Sequence, residues 1–367
     1  MSAFSTEDHF NMKSALALAE RVKGLTHPNP AVGAVVVKNG VTVGKGATAP
    51  WGGPHAEKTA LAAAGLSARN ATLYVTLEPC CHFGRTAPCT DAVIAAGCKR
   101  VIVAVRDPNP LVAGKGIAQL RRHGIEVSTG LLRHEATVLN EDFFWAVTRK
   151  RAFITLKMAF SLDGRIADIR GASKWITSPA LRSVVHHLRA HHTAIAVGKG
   201  TLLADNPKLT VRKGSGKEPV RIIFSSGTGL PRESYFYRHA GDCRSIVVIR
   251  KKARRHITVS RRHGIEYWYT GCEDPVGSMS TFTEMAFENH LTSVFVEGGQ
   301  RIASVLLEAG LVNRLYLFYG NRLFGDGRDG ILFNRGLPVE QCISLKNRKT
   351  FIIGNELYLT GIPDNLR

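Results

Sequence analysis

The stretch Glu78-Pro79-Cys80-Cys81-His82-Phe83-Gly84-Arg85-Thr86-Ala87-Pro88-Cys89, read with Pro54-His55-Ala56-Glu57 upstream, decides what the first part of this chain builds. A catalytic zinc needs three protein ligands and one position left open for water. His55 offers a ring nitrogen, and Cys80 and Cys89 offer thiolates. Glu57 lies two residues past the histidine at the start of a helical segment, where it faces the water without binding the metal. Zinc lowers the pKa of that water, and the carboxylate hands its proton to a departing ammonia. The pattern H-x-E…P-C-x-x-C marks zinc nucleobase deaminases; here eight residues separate the two cysteines. A structural zinc would favour a fourth ligand, for which Cys81 or His82 is available, but that reading leaves Glu57 and Pro79 unexplained. Adjacent residues rarely reach one tetrahedral centre together, so Cys81 reads as a bystander.

Outward from this stretch, helical and strand patterns alternate. Helices are expected at 7–22, 55–64, 89–96 and 114–123, and strands at 32–37, 41–43, 73–77 and 101–105. The turn Lys38-Asn39-Gly40 joins the first two strands as a hairpin. The pattern restarts around Arg149-Lys150-Arg151, which places a boundary near residue 150 and divides the chain into 1–150 and 151–367. Beyond it, strands are expected at 153–158, 194–197, 220–224, 245–249, 293–297 and 315–319. Helices are expected at 179–190, with Ser178 as N-cap and Pro179 in first position, and at 301–309. Gly198 to Arg212 reads as strand, turn and loop. Both halves are mixed α/β layer folds.

Composition narrows the function classes. The 367 residues suit two domains. No run of 18 apolar residues appears, and the polar start, with Glu7 and Asp8, lacks the features of a secretory signal. A cytoplasmic location is expected. Seven cysteines, an odd and sparse set, do not make a disulfide scaffold. Cys98, Cys243, Cys272 and Cys342 read as buried small hydrophobes. The net charge is +20, and both halves are basic, with 17 Lys+Arg against 11 Asp+Glu in residues 1–150 and 32 against 18 in the rest. Such a surplus suits phosphorylated metabolites, nucleotide cofactors or nucleic acid. The densest run, Arg250-Lys-Lys-Ala-Arg-Arg255, followed by Arg261-Arg262, reads as a solvated surface segment.

Together with His27-Pro28-Asn29-Pro30 and Asp107-Pro108-Asn109-Pro110, the histidine and cysteine motifs resemble the deaminase half of the RibD family, bifunctional deaminase–reductases of riboflavin biosynthesis. The long loop between the cysteines separates that family from other zinc deaminases. The resemblance implies a cytidine-deaminase-like domain with His55, Cys80 and Cys89 on Zn2+ and Glu57 catalytic. The implied substrate is 2,5-diamino-6-ribosylamino-4(3H)-pyrimidinone 5′-phosphate, which loses its 2-amino group. Asn29, His82, Arg85, Thr86, Asp107 and Asn109 match positions that hold it; for His27, Asn29, Asp107 and Asn109 turn and capping chemistry is an equal explanation. Cys81 stands where the family usually has Ser, Ala87 where it has Pro, and Thr48 where it often has His.

The second half carries no G-x-G-x-x-G, so a dinucleotide-binding Rossmann unit is not indicated. Lys157-Met-Ala-Phe-Ser161-Leu-Asp163-Gly-Arg165, Ser173-Lys-Trp175, Gly198 to Arg212 and Val296-Glu297-Gly298-Gly299 are each weak alone, and turn chemistry accounts for each pair of glycines. In this order they resemble the reductase half of the same family, which has a dihydrofolate-reductase-like fold. The resemblance then covers residues 8 to about 360 and implies NADPH-dependent reduction of ribosyl to ribityl. Matching positions imply Ala159, Trp175, Thr201, Asp205, Ser226 and the turn Gly299, Gln300, Arg301, Ile302, Ala303, Ser304, Val305 for the cofactor. They imply Ser173, Arg189, Leu209, Arg212 and Glu297 for the substrate. Ser225-Ser226 replaces the more usual Asp-Ser. The expected partner is thus a phosphorylated pyrimidine nucleotide-like substrate in a homo-oligomeric enzyme, with neither nucleic acid nor membrane bound. The rival reading is a nucleic-acid-editing deaminase, which has no need of the motifs from Lys157 to Arg212 or of Glu297.

Overall fold

Most of the continuous apolar runs become buried strands. The computed structural model describes residues 4–83, 87–211, 218–252, 254–260, 263–333 and 336–364. It divides into two units, Met1–Lys150 and Arg151–Arg367.

The first unit runs α1 (Thr6–Arg21), β1 (Gly33–Lys38), β2 (Val41–Ala47), α2 (Ala56–Ala64), β3 (Thr72–Leu77), α3 (Cys89–Ala95), β4 (Arg100–Val105), α4 (Lys115–Arg122), β5 (Glu126–Thr129), α5 (Arg133–Leu139) and α6 (Glu141–Arg149). Its sheet has the order β2-β1-β3-β4-β5. β1 is antiparallel to β2 and β3, and β3, β4 and β5 are parallel. Helix α1 starts on a capping box, with Ser5 accepting from the Asp8 N–H and Asp8 accepting from Ser5. The buried Asp8 also accepts from Tyr74 at 2.8 Å and Arg100 at 3.0 Å. The core gathers Val35, Val36, Leu73, Val75, Val101 and Ile102. Burial of each such side chain contributes about 1.5–3 kcal/mol. Helix α2 lies so close to β2 that a Cβ on Gly46 would come within 2.3 Å of the Ala56 carbonyl. That approach sets the height of the helix start, and with it His55 and Glu57.

The second unit runs β6 (Phe153–Phe160), β7 (Arg165–Asp168), α7 (Pro179–Ala190), β8 (Ala194–Gly198), α8 (Lys199–Asp205), β9 (Val220–Ser225), α9 (Tyr235–Arg238), β10 (Ser245–Ile249), β11 (His256–Val259), β12 (Glu266–Tyr269), α10 (Pro275–Glu288), β13 (Ser293–Glu297), α11 (Gln300–Glu308), β14 (Arg314–Tyr319), β15 (Gly327–Asp329), β16 (Leu345–Ile353) and β17 (Glu356–Pro363). The main sheet orders its strands β11-β12-β10-β9-β8-β13-β6-β14-β17-β16. From β12 to β14 neighbouring strands are parallel, and the outer pairs are antiparallel. Strand β13 arrives late in the chain yet sits between β8 and β6. Open parallel sheets bind ligands outside the carboxyl ends of strands where the order reverses, and the insertion of β13 makes such a place here.

Three expectations change. Residues 199–205 form helix α8 instead of loop. Helix α10 and strands β5, β12, β16 and β17 have no counterpart in the expected pattern. Of the four cysteines read as buried, only Cys98 is; Cys243 and Cys272 are half-buried and Cys342 is exposed. No helix among the described residues is long and apolar enough to cross a membrane.

Candidate active sites

In the first unit, His55 is the N-cap residue of α2, and Cys89 opens α3 directly after Pro88. Cys80 follows β3 through Glu78-Pro79. The two helix starts and the strand end bring His55 Nδ1 to 3.5 Å from Cys80 Sγ and 3.3 Å from Cys89 Sγ, with all three ligand atoms within 4.8 Å of one another. Zinc bonds of about 2.3 Å to sulfur and 2.0–2.1 Å to nitrogen at tetrahedral angles put S and N roughly 3.6 Å apart. The donor set and its spacing therefore fit zinc. The Cys89 N–H at the start of α3 reaches the Cys80 carbonyl at 3.0 Å and Cys80 Sγ at 3.4 Å. Helix N-termini favour thiolates. The hydrogen bond from the Cys89 thiol lowers Cys80 to about 4, and the same bond and burial raise Cys89. Glu57, in the first turn of α2, is buried, and burial followed by the Cys80 charge pushes its carboxyl up to about 7.

Glu78 is the part of this motif that the sequence left without a role. Its buried carboxylate accepts from Asp107 N–H at 3.2 Å, Gly114 N–H at 2.9 Å and Ile117 N–H at 3.2 Å. It thereby ties the strand end that carries Cys80 to the loop after β4 and to α4. A Cβ on Gly116 would meet the Pro79 carbonyl at 2.2 Å, so α4 packs against the same turn.

Among the expected substrate residues, His82 has a buried Nδ1 with no partner among the described residues. Asp107 and Asn109 instead spend carboxylate and amide oxygens on the turn, accepting from Asn109 N–H at 2.8 Å and Leu111 N–H at 3.1 Å. Burial raises Asp107 to about 6. The Asn29 N–H donates to the Thr26 carbonyl, and the Asn29 carbonyl accepts from the Thr26 hydroxyl, both at 3.0 Å. Thr48 turns inward and accepts from the Val32 N–H at 3.1 Å. Lys58 binds the Ala87 carbonyl at 2.6 Å, linking α2 to the loop between the cysteines. Arg85 and Thr86 lie outside the described residues.

In the second unit, a cavity of about 1080 Å³ opens over the carboxyl ends of the parallel strands. Its wall includes Ala159, Trp175, Thr201, Asp205, Ser226, Gly299, Gln300, Arg301, Ile302 and Val305, together with Ser173, Arg189 and Glu297. Ala303 and Ser304 do not line it. Successive helix residues point about 100° apart, so part of any run along α11 must face the core. Ala303 is fully buried there, and the Ser304 hydroxyl accepts from the Leu332 N–H at 2.9 Å. Leu209 is buried in the cluster with Ile195 and Ile223 and does not reach the wall. Arg212 lies outside the described residues.

At the β6 and β13 end, Glu297 and Arg189 form an ion pair, and Arg189 also donates to the Thr210 carbonyl at 3.1 Å. Burial works to raise Glu297, but the Arg189 charge and hydrogen bond hold it below the usual carboxylate value. Beside them is Lys157, half-buried and held below the usual lysine value by desolvation against the pull of Glu297. Sequence reading quoted Lys157 but gave it no role. Its signal was a lysine within an apolar strand. Ser173 donates to Asp205 at 3.0 Å, holding the Trp175 loop against α8. Asp163 caps the 322–325 loop through Phe324 N–H and Gly325 N–H, so the Ser161-Leu-Asp163 turn is structural.

Comparison with known proteins now adds to this geometry. Residues 5–105 match the model for the cytidine and deoxycytidylate deaminase zinc-binding region, and residues 152–359 match that for the RibD C-terminal domain. The riboflavin biosynthesis protein RibD of Aquifex aeolicus (strain VF5) is 43% identical over 95% of this chain and 96% of its own. This chain belongs to the RibD family. The RibD of Escherichia coli (strain K12) is 39% identical over 90% of this chain and 92% of its own. Among solved structures, a RibD of Acinetobacter baumannii superposes with a TM-score of 0.87 at 33% identity, over 98% of this chain and 99% of that one. A Thermotoga maritima deaminase/reductase gives 0.83 at 37%, over 97% and 99%. The chain is thus a bifunctional enzyme of riboflavin biosynthesis, a zinc-binding deaminase domain followed by an NADPH-using reductase domain. These likenesses do not favour nucleic-acid editing.

The RibD reductase cavity also holds a residue that sequence reading assigned to solvent. Arg250, the first residue of the basic run, is half-buried on its wall. Later members behave as expected: Lys251, Lys252 and Arg254 are exposed, and Arg255 pairs on the surface with Glu284 and Glu288. Arg261 and Arg262 lie outside the described residues.

Proposed function

We propose that the first unit removes the 2-amino group of 2,5-diamino-6-ribosylamino-4(3H)-pyrimidinone 5′-phosphate and that the second reduces the ribosyl group of the product to ribityl. The Thermotoga maritima relative is described as a diaminohydroxyphosphoribosylaminopyrimidine deaminase/5-amino-6-(5-phosphoribosylamino)uracil reductase. The observation that carries the reading is the His55, Cys80, Cys89 triangle with buried Glu57 beside it. Zinc, when bound, makes water acidic enough to yield a nucleophile near neutral pH. Glu57 takes the proton from that water and returns it to the leaving ammonia, a task suited to a carboxyl raised toward 7. The unsatisfied His82 Nδ1 faces substrate, and Arg85 contributes a phosphate contact.

In the second unit NADPH supplies the hydride. Lys157 and Glu297 are the half-buried ionisable groups placed to handle the accompanying proton. Arg189, already held by Glu297, and Arg212 hold the substrate phosphate. The same reading makes residues 1–150 and 151–367 separate catalytic domains. It places the enzyme in the cytoplasm, whose reducing conditions suit free thiols and thiolate ligands. It makes the enzyme a homo-oligomer, in keeping with the edge strand β16, which exposes Phe351 and Ile352. Incubating the chain with the diaminopyrimidinone nucleotide, with and without NADPH, and weighing the products by mass spectrometry tests the whole reading. The expected result is loss of the amine alone without NADPH and an additional gain of two hydrogens with it. An unchanged nucleotide in both arms overturns it.

A further inference from the structure

The cavity runs across the strand ends in the order β6, β13, β8, β9, β10. With strands about 4.8 Å apart, these four intervals span roughly 19 Å. The two ends differ in chemistry. At β6 and β13 stand Lys157, Arg189 and Glu297. At β9 and β10 the wall has an apolar part, Phe224, Val248, Pro275 and Met279, that suits a purine ring, beside Ser225, Ser226 and Arg250. Between them, Gly298-Gly299 leads into α11, whose first backbone N–H groups, with Arg301, suit a diphosphate.

Arg250 directly follows β10 at the apolar end. Its main-chain N–H donates to the Ser225 carbonyl at 3.2 Å, which fixes it beside Ser225 and Ser226. Among the described residues its guanidinium has no carboxylate partner. The two carboxylates on the cavity wall are both engaged elsewhere, Glu297 with Arg189 and Asp205 with Ser173. The end of β9 therefore offers hydroxyls and one free positive charge, with no acid to repel an anion. Ser225 uses its hydroxyl on Gly227, which leaves Ser226 as the adjacent side chain. This half has no Rossmann unit, but the chemistry seen in Rossmann sites carries over: a carboxylate beside the adenosine ribose favours the 2′-hydroxyl of NAD, whereas an arginine accommodates the 2′-phosphate.

We propose that Arg250 is the residue that selects NADPH over NADH, its guanidinium binding the 2′-phosphate of the adenosine ribose with Ser226 alongside. This rests on the reading that the cavity holds the dinucleotide. The adenosine lies against Phe224 and Met279, the diphosphate lies at α11, and the nicotinamide lies toward Ala159 and Lys157. The remainder of the basic run takes no part.

Titrating the purified full chain with NADPH and with NADH, read as a dissociation constant from nicotinamide and protein fluorescence, tests the assignment without turnover. The wild type should prefer NADPH by at least about tenfold, the scale of one charge-assisted phosphate contact. Arg250→Gln should weaken NADPH by about 10–100-fold and leave NADH within about twofold, while Arg250→Lys should fall between. 2′,5′-ADP should compete with NADPH on the wild type and lose this ability on Arg250→Gln, with 5′-ADP unchanged. Arg301→Gln should weaken both cofactors alike. An unchanged preference in Arg250→Gln with an unchanged melting curve overturns the proposal, as does an NADPH-only loss in Arg301→Gln. If the wild type binds neither cofactor, the reading of the cavity itself fails.

Discussion

The two catalytic regions of this chain are built on opposite plans. The candidate zinc site draws its proposed ligands and acid–base group from residues 55 to 89, at two helix starts and one strand end of a small sheet. The reductase cavity draws its wall from residues 157 to 328, taken from several strand ends, from the loop before α7 and from helices α7, α8, α10 and α11. The first is a cluster of strong donors, any one of which is indispensable. The second is a surface whose function is spread over many modest contacts. Damage to the first should therefore be all-or-none and confined to one reaction, and damage to the second graded.

The largest effect expected is that of the metal ligands. His55→Ala, Cys80→Ala or Cys89→Ala should remove zinc, measured by elemental analysis, and with it all detectable deamination, while reduction of supplied deaminated nucleotide continues. Cys81→Ser should keep both metal and activity. Loss of reduction in a folded ligand mutant breaks the comparison. Next comes Glu57→Gln, which should retain zinc and lose about 10²–10⁴-fold in deamination. Normal turnover by that protein removes Glu57 from the mechanism. Third, Glu297→Ala should slow reduction by about 10²-fold and let the deaminated nucleotide accumulate in a chromatographic time course. It should leave deamination unchanged.

Smaller effects sharpen the contrast. The Asp8 carboxyl is held below its usual value: burial works to raise it, but bonds from Ser5 and Tyr74 and the Arg100 charge outweigh that. Its contribution to stability is present above the unfolded value near 3.9 and is lost as pH falls through the folded one. Asp8→Asn should lower the melting temperature of the first unit by about 2–4 °C near pH 7, and the difference should shrink as pH falls below the unfolded value. A shift of the second unit's transition by the same amount contradicts independent melting. Smallest of all, neutralising Lys251, Lys252 and Arg254 together should move neither Michaelis constant by more than about twofold.

The same difference in plan governs what could be read from the sequence. The meeting of His55, Cys80 and Cys89 is legible because metal geometry demands scarce residue types at short spacing. The strands are legible where both faces are buried, as at Val32–Val37. Helix α8 is not, because Lys199-Gly200-Thr201 has turn composition and is helical only through its setting at the end of β8. Ala303 and Ser304 were included with their neighbours because a motif is contiguous, whereas a helix turns. Arg250 shares its composition with the exposed cations after it. Only the pairing of β10 with β9, a long-range fact, separates it from them.

The late insertion of β13 has a consequence in time. A chain leaving the ribosome completes the zinc centre once residue 150 is out, since every one of its strands pairs within that span. The reductase sheet cannot close then, because β6 must wait for β13, about 140 residues later, to occupy the gap beside β8. Contacts of such sequence separation are slow to form and leave strand edges open meanwhile. During synthesis the second half therefore passes through a long interval with β6 and β8 unjoined. In that interval a chaperone has most to do, and a translational pause before residue 293 would do most harm.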